Sequence, residues 1–129
     1  MAVIYSNKGN FLLLRTNPKF MNVDVWFVVT GSIEGKEGEE NAVRREVMEE
    51  TGLKILNIKP TDYFCIYECP KGTMNHEKAF IVKVKEETPK LSVEHTDYKW
   101  LTKQEFLKQL DWDKNIDPEG KFFELIKDI

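Results

Sequence analysis

The chain has 129 residues, 41% of them apolar and 32% charged, the scale of one compact domain that buries roughly two-thirds of the surface an unfolded chain exposes. A formal net charge of -3 speaks against stable nucleic-acid binding, which needs a broad cluster of Lys and Arg to neutralise phosphates. No run of about twenty apolar residues and no basic-then-apolar leader occurs, so neither a membrane span nor a signal peptide is expected and the cytoplasm is the expected compartment.

In chain order, Ala2 to Tyr5 and Phe11 to Arg15 are short apolar runs separated by Ser6-Asn7-Lys8-Gly9-Asn10, and they predict a hairpin. Val23 to Val29 predicts a third strand, running into a loop that holds Gly31, Gly35 and Gly38. Glu39 to Thr51 contains no Gly or Pro and is rich in helix formers, with Gly52 as its stop. Alternation predicts strands over Ile55 to Cys69, Lys78 to Lys85 and Tyr98 to Leu101. Thr102 and Glu105 form a capping box for a helix through Gln109. Asp117-Pro118 signals another helix start, and Phe122, Leu125, Ile126 and Ile129 recur at the spacing of a packing face.

The two cysteines, Cys65 and Cys69, fall on one face of a predicted strand about 13 Å apart, beyond disulfide reach, and are read as buried free thiols. Together the elements predict one domain over residues 1–129, a mixed sheet with helices on both faces.

The chemistry concentrates between Gly31 and Leu53. On a helix at about 100° per residue, Glu46, Glu49 and Glu50 fall within one arc of roughly 100°, beside the apolar edge of Val43 and Val47. Like charges at these spacings cost several tenths of a kcal/mol unless a cation compensates. A hard divalent ion would do so, since Mg²⁺ and Mn²⁺ prefer carboxylate oxygens and complete their shells with water and phosphate. A solvated acidic face is the bland alternative for the helix taken alone. Arg45, four residues before Glu49, can hold one of the carboxylates in place.

The wider spacing decides between them. Gly31, Glu37, Arg45, Glu46, Val47, Glu49, Glu50, Gly52 and Leu53 reproduce without a gap the pattern of the Nudix box, and the chain resembles the Nudix hydrolases. Multiplying residue frequencies over the fixed positions gives a chance match on the order of 10⁻⁶ per chain. Trp26, the run Val29 to Glu34, Glu94-His95 and Tyr98 to Leu101 are similar to the subgroup of dihydroneopterin triphosphate and dATP pyrophosphohydrolases. Two departures concern the loop: Thr30 precedes Gly31 where many members have a second glycine, and Lys36 precedes Glu37 where glycine is frequent.

The resemblance implies an α/β/α sandwich and a pyrophosphohydrolase dependent on Mg²⁺ or Mn²⁺. It implies metal binding by Glu46, Glu49, Glu50 and the Gly31 carbonyl, with Glu37 and Arg45 supporting the ligands. Glu46, Glu49, Arg45 and Glu94 are the expected catalytic set, with Glu46 the first candidate for general base and Glu94 the second. Arg15, Trp26 and Glu34 are expected to meet the substrate, a nucleoside or pterin triphosphate cleaved to release pyrophosphate. A dinucleoside polyphosphate or a nucleotide sugar such as ADP-ribose is the alternative substrate, and a nucleotide-sensing domain without turnover is the alternative of another class. Many members dimerise, so a second copy of the chain belongs among the expected partners.

Overall fold

The computed structural model describes residues 1–31, 36–68, 74–112 and 117–129, with the backbone alone at 65–68 and 74–76. Strands β1 (Ala2–Ser6) and β2 (Phe11–Thr16) form the expected antiparallel hairpin, Tyr5 opposite Phe11. The Ser6 hydroxyl closes its turn by accepting the amides of Lys8 and Asn10 at 3.1 and 3.2 Å. β3 (Trp26–Phe27) pairs with the far end of β2, β4 (Ile55–Glu68) pairs antiparallel with β5 (Met74–Val84), and β6 (His95–Leu101) pairs along β2. β1 and β5 run parallel, Ala2 beside Phe80 through Ser6 beside Val84, so the sheet is mixed.

Both faces of the central strands are apolar, and alternation sends their side chains to two separate cores. Ala2, Ile4, Leu12, Leu14, Phe80, Val82 and Val84 pack with Val43 and Val47 of α2 (Glu39–Thr51). Val3, Phe11, Leu13, Ala79 and Leu101 face the other way, onto Phe106 of α3 (Lys103–Gln109) and Phe122 and Ile126 of α4 (Lys121–Lys127). The result is a helix–sheet–helix sandwich. Among the described residues no helix is long and apolar enough to cross a membrane.

Several elements are shorter, longer or later than the sequence predicts. Of Val23 to Val29, only Trp26 and Phe27 form a strand, with Val29 making a single bridge to Ala2. The cause is Thr16, whose hydroxyl donates to the Val23 carbonyl at 2.6 Å and accepts the Val25 amide at 2.9 Å, closing residues 16–25 into a loop. Within it lies an unexpected short helix, α1 (Pro18–Met21), capped by the Asn17 side chain at the Lys19 amide. β5 and β6 begin earlier than predicted. α3 has its capping box as expected.

Asp117 and Pro118 do not open α4. Helical backbone begins only at Lys121, after Gly120 at φ 68°. The buried Asp117 carboxylate still satisfies the helix start, accepting the amides of Lys121 and Phe122 at 3.0 and 2.9 Å and the Trp112 indole N–H at 3.2 Å. Asp117→Ala leaves the Phe122 amide unpaired in the core and should cost about 2 kcal/mol, read as a lower denaturation midpoint at unchanged slope.

Candidate functional site

Helix α2 has no side-chain cap at its Gly38 start, but Glu39 and Glu40 in its first turn suit the positive end of its dipole. It ends where Gly52 takes φ 64° and returns its amide to Met48. Val43 and Val47 are buried, and Thr51 is fixed by donating its hydroxyl to the Val47 carbonyl at 2.6 Å. That orientation puts the three helix carboxylates at graded depth. Glu50 is buried, Glu46 is half-buried and the Glu49 side chain is 54% exposed.

Arg45 ties this face together. Its guanidinium lies 2.9 Å from Glu37, 2.7 Å from Glu46 and 3.2 Å from Glu49. One planar cation therefore spans the loop before the helix and two of its carboxylates, a geometry a lysine would not reproduce. Burial pushes the Glu46 carboxyl above its ordinary value, Arg45 works against that shift, and the charges of Glu49 and Glu50 add to it.

The fourth carboxylate arrives from far along the chain. The Lys90 amide donates to the Thr51 carbonyl at 2.8 Å, drawing the segment after β5 along the end of α2. The Ser92 hydroxyl then donates to Glu50 Oε2 at 2.8 Å, and His95 Nδ1 lies 2.7 Å from the same oxygen. The Glu94 carboxyl lies close enough to Glu50 for the two to perturb each other's ionisation. The two carboxyls respond in opposite directions. Burial disfavours the charged form of Glu50, but bonds from His95, Glu94 and Ser92 outweigh it and hold that carboxyl below its usual range. The bond to Glu50 pushes Glu94 up to about 7, helped by burial and by the negative charges of Glu50 and Glu46. Glu94 is thus the harder of the two to ionise.

This raised value has a consequence for stability. Below the ordinary carboxyl range, Glu94 is protonated both folded and unfolded. As pH rises from about 4.5 towards about 7 the unfolded chain ionises first, so the metal-free protein loses stability across that window and the loss is complete above it. Glu94→Gln should remove this one contribution, stabilising the metal-free protein by about 1 kcal/mol at pH 8 relative to its effect at pH 4, once screening by water is allowed for. Thermal melts at the two pH values check this.

Gly31 adjoins the same cluster. A Cβ there would overlap the carboxylate end of Glu46, so this position needs glycine for close approach rather than for backbone twist. The structure thus brings together Gly31, Glu37, Arg45, Glu46, Glu49, Glu50 and Glu94. It does not bring Arg15 or Trp26 to them. Half-buried Trp26 packs against the core beneath α3 and α4, with Lys99 Nζ 4.4 Å from its ring centroid. Arg15, cross-strand from Trp26, is exposed and forms a two-point ion pair with Asp24 at 2.8 Å. Glu34 and Cys69, and the side chain of Cys65, lie outside the described residues. Ser92 went unnoticed in the sequence. A lone serine 42 positions from Glu50 carries no local signal of that contact.

Among the described residues no three His, Cys, Asp or Glu groups already converge in a metal-holding arrangement. Arg45 engages Glu46 and Glu49 while His95 and Ser92 engage Glu50. The donor chemistry nevertheless fits a hard divalent cation: oxygen donors, with carboxylates crowded enough that two of them resist ionisation.

The NUDIX domain family model matches residues 1–120. The chain is 31% identical over 117 residues to the dihydroneopterin triphosphate diphosphatase of Escherichia coli K12, covering 78% of this chain and 75% of that protein. It is also 31% identical over 97 residues to an octanoyltransferase of Myxococcus xanthus, covering 73% of this chain but spanning only 27% of that protein's length. Among solved structures, the E. coli dihydroneopterin triphosphate pyrophosphohydrolase superposes with a TM-score of 0.71 at 24% identity, over 95% of this chain and 92% of that one. A C. elegans Ap4A hydrolase does so with a TM-score of 0.68 at 22% identity, over 98% and 91%. At these identities the structural likeness speaks for the fold.

Proposed function

The chain belongs to the Nudix family and is a Nudix pyrophosphohydrolase, and from that premise we propose that it cleaves a nucleoside or pterin triphosphate, with a divalent metal, to release pyrophosphate. The observation that carries this reading is the gathering of Glu46, Glu49 and Glu50 from one helix with Glu94 from a distant loop. The choice of substrate leans on the diphosphatase likeness over 78% of the chain.

Glu46, Glu49, Glu50 and the Gly31 carbonyl would hold Mg²⁺ or Mn²⁺. Such an ion, when bound, neutralises phosphate charge that would repel an incoming water. The chain's own groups supply the rest. Arg45 and Glu37 keep the loop and helix carboxylates in register. Glu94, once ionised, accepts the proton of the water that attacks phosphorus, as the bond to the leaving phosphate oxygen breaks. In the metal-free protein its carboxyl is raised to about 7, the direction that suits a base working near neutral pH. Glu46 is tied by Arg45 at 2.7 Å into the helix face that would hold the ion, so Glu94 moves ahead of it as the base. Arg15 and Trp26 stay in the proposal only as contacts for parts of the substrate distant from the hydrolysed bond.

The second reading is a dinucleoside polyphosphate or nucleotide sugar, which the fold shared with the Ap4A hydrolase accommodates without preferring. Retention of every box carboxylate speaks against a sensing domain without turnover. A panel of nucleoside and pterin triphosphates, Ap4A and ADP-ribose, assayed with Mg²⁺ and again with EDTA, separates these. The proposal expects pyrophosphate from a triphosphate and nothing with EDTA. Turnover of Ap4A or ADP-ribose alone, or turnover that survives EDTA, would reject it.

A further inference from the structure

We propose that Asn17 is a positioning residue for the reaction: its carboxamide fixes the Val93–Glu94 turn and so sets the Glu94 carboxylate against Glu50. The inference rests on the reading of Glu94 as the base. Asn17 Nδ2 donates to the Val93 carbonyl at 2.8 Å, and the Asn17 amide donates to the Glu94 carbonyl, also at 2.8 Å. On the other side, the Glu94 amide donates to Ser92 Oγ at 3.2 Å, the same hydroxyl that donates to Glu50. Two successive carbonyls and one amide of the turn are therefore held, and the Glu94 side chain leaves it beside Glu50.

Asn17 is itself well anchored. The preceding Thr16 pairs with His95 across the sheet and closes the 16–25 loop, while the Asn17 carbonyl accepts the amides of Phe20 and Met21 at 3.0 and 2.9 Å. Its side chain does two jobs at once. Oδ1 accepts the Lys19 amide at 3.1 Å to cap α1, and Nδ2 donates to Val93. The carboxamide carries its donor and its acceptor on separate atoms, so the two bonds can point in different directions, which the single oxygen of a serine cannot reproduce. Aspartate keeps the cap, but it lacks the donor and turns a carboxylate oxygen towards the Val93 carbonyl.

Asn17→Asp therefore separates the two jobs, and Asn17→Ser, which also caps, provides an independent second variant. Each should lower kcat by about tenfold with KM within about twofold, the scale expected when a base is displaced but not lost. In a Glu94→Gln background neither should lower kcat further, because both changes act through one group. In the metal-free protein, amide exchange at residues 92–95 should rise at least about tenfold, with the core of β2 unaffected. Equal losses of kcat in both backgrounds, or unchanged exchange at 92–95, would overturn the positioning role. If Glu94→Gln itself retains full turnover, the base assignment has failed, and the exchange measurement still decides whether Asn17 holds the turn.

Discussion

Glu50→Gln lowers turnover by about 10²-fold or more. Glu50 is buried, and its Oε2 receives both Ser92 and His95. Glutamine has the same shape and can still accept from Ser92, so the fold should survive. The charge is what disappears, with two effects in the same direction. The cluster loses a ligand for the divalent ion, and Glu94 loses the neighbour that raises its carboxyl to about 7. Glu49→Gln should follow with a similar kinetic loss and less effect on stability, since its side chain is 54% exposed and paired with Arg45 at 3.2 Å. Steady-state kinetics across a magnesium titration check both. Full turnover of both variants at saturating magnesium would remove these residues from the site.

Gly31→Ala should cost nearly as much, although it alters no charged group. The added methyl falls on the carboxylate end of Glu46, so either the loop withdraws or Glu46 leaves its place beside Arg45. Displacement of about 1 Å in a catalytic arrangement costs on the order of 10²-fold in rate. Gly38→Ala is the control, because a Cβ there meets nothing within 4 Å. Its turnover should stay within about twofold of the parent, while kcat for Gly31→Ala collapses. Equal behaviour of the two glycine variants would mean that the loop carbonyl and Glu46 do not work together.

The helix that carries the carboxylates was legible because its signals are local. Residues 39–51 contain no breaker, Gly52 stops them, and the box spacing sits on the same stretch. The capping box at Thr102 and the two-sided apolar alternation of β1 and β2 are equally local. What escaped prediction depends on contacts between distant residues. The Thr16 hydroxyl diverts Val23 and Val25 from the sheet. Gly120 delays α4 although the Asp117-Pro118 pair looks like its start. Trp26 pairs with Arg15 and packs against the residues beneath α3 and α4, the placement most common for an aromatic residue in a strand. Glu94 was expected from family resemblance alone; its physical route to Glu50 runs through Lys90, Ser92 and Asn17, none of which announces itself in the chain.

The carboxylates of α2 are taken to exist for a divalent ion, and manganese titration followed by calorimetry and electron paramagnetic resonance measures that directly. With a non-hydrolysable triphosphate present, the protein should take up Mn²⁺, and Glu50→Gln should weaken that uptake by at least about tenfold. No uptake by the parent protein, or equal affinity in the parent and Glu50→Gln, would contradict the account.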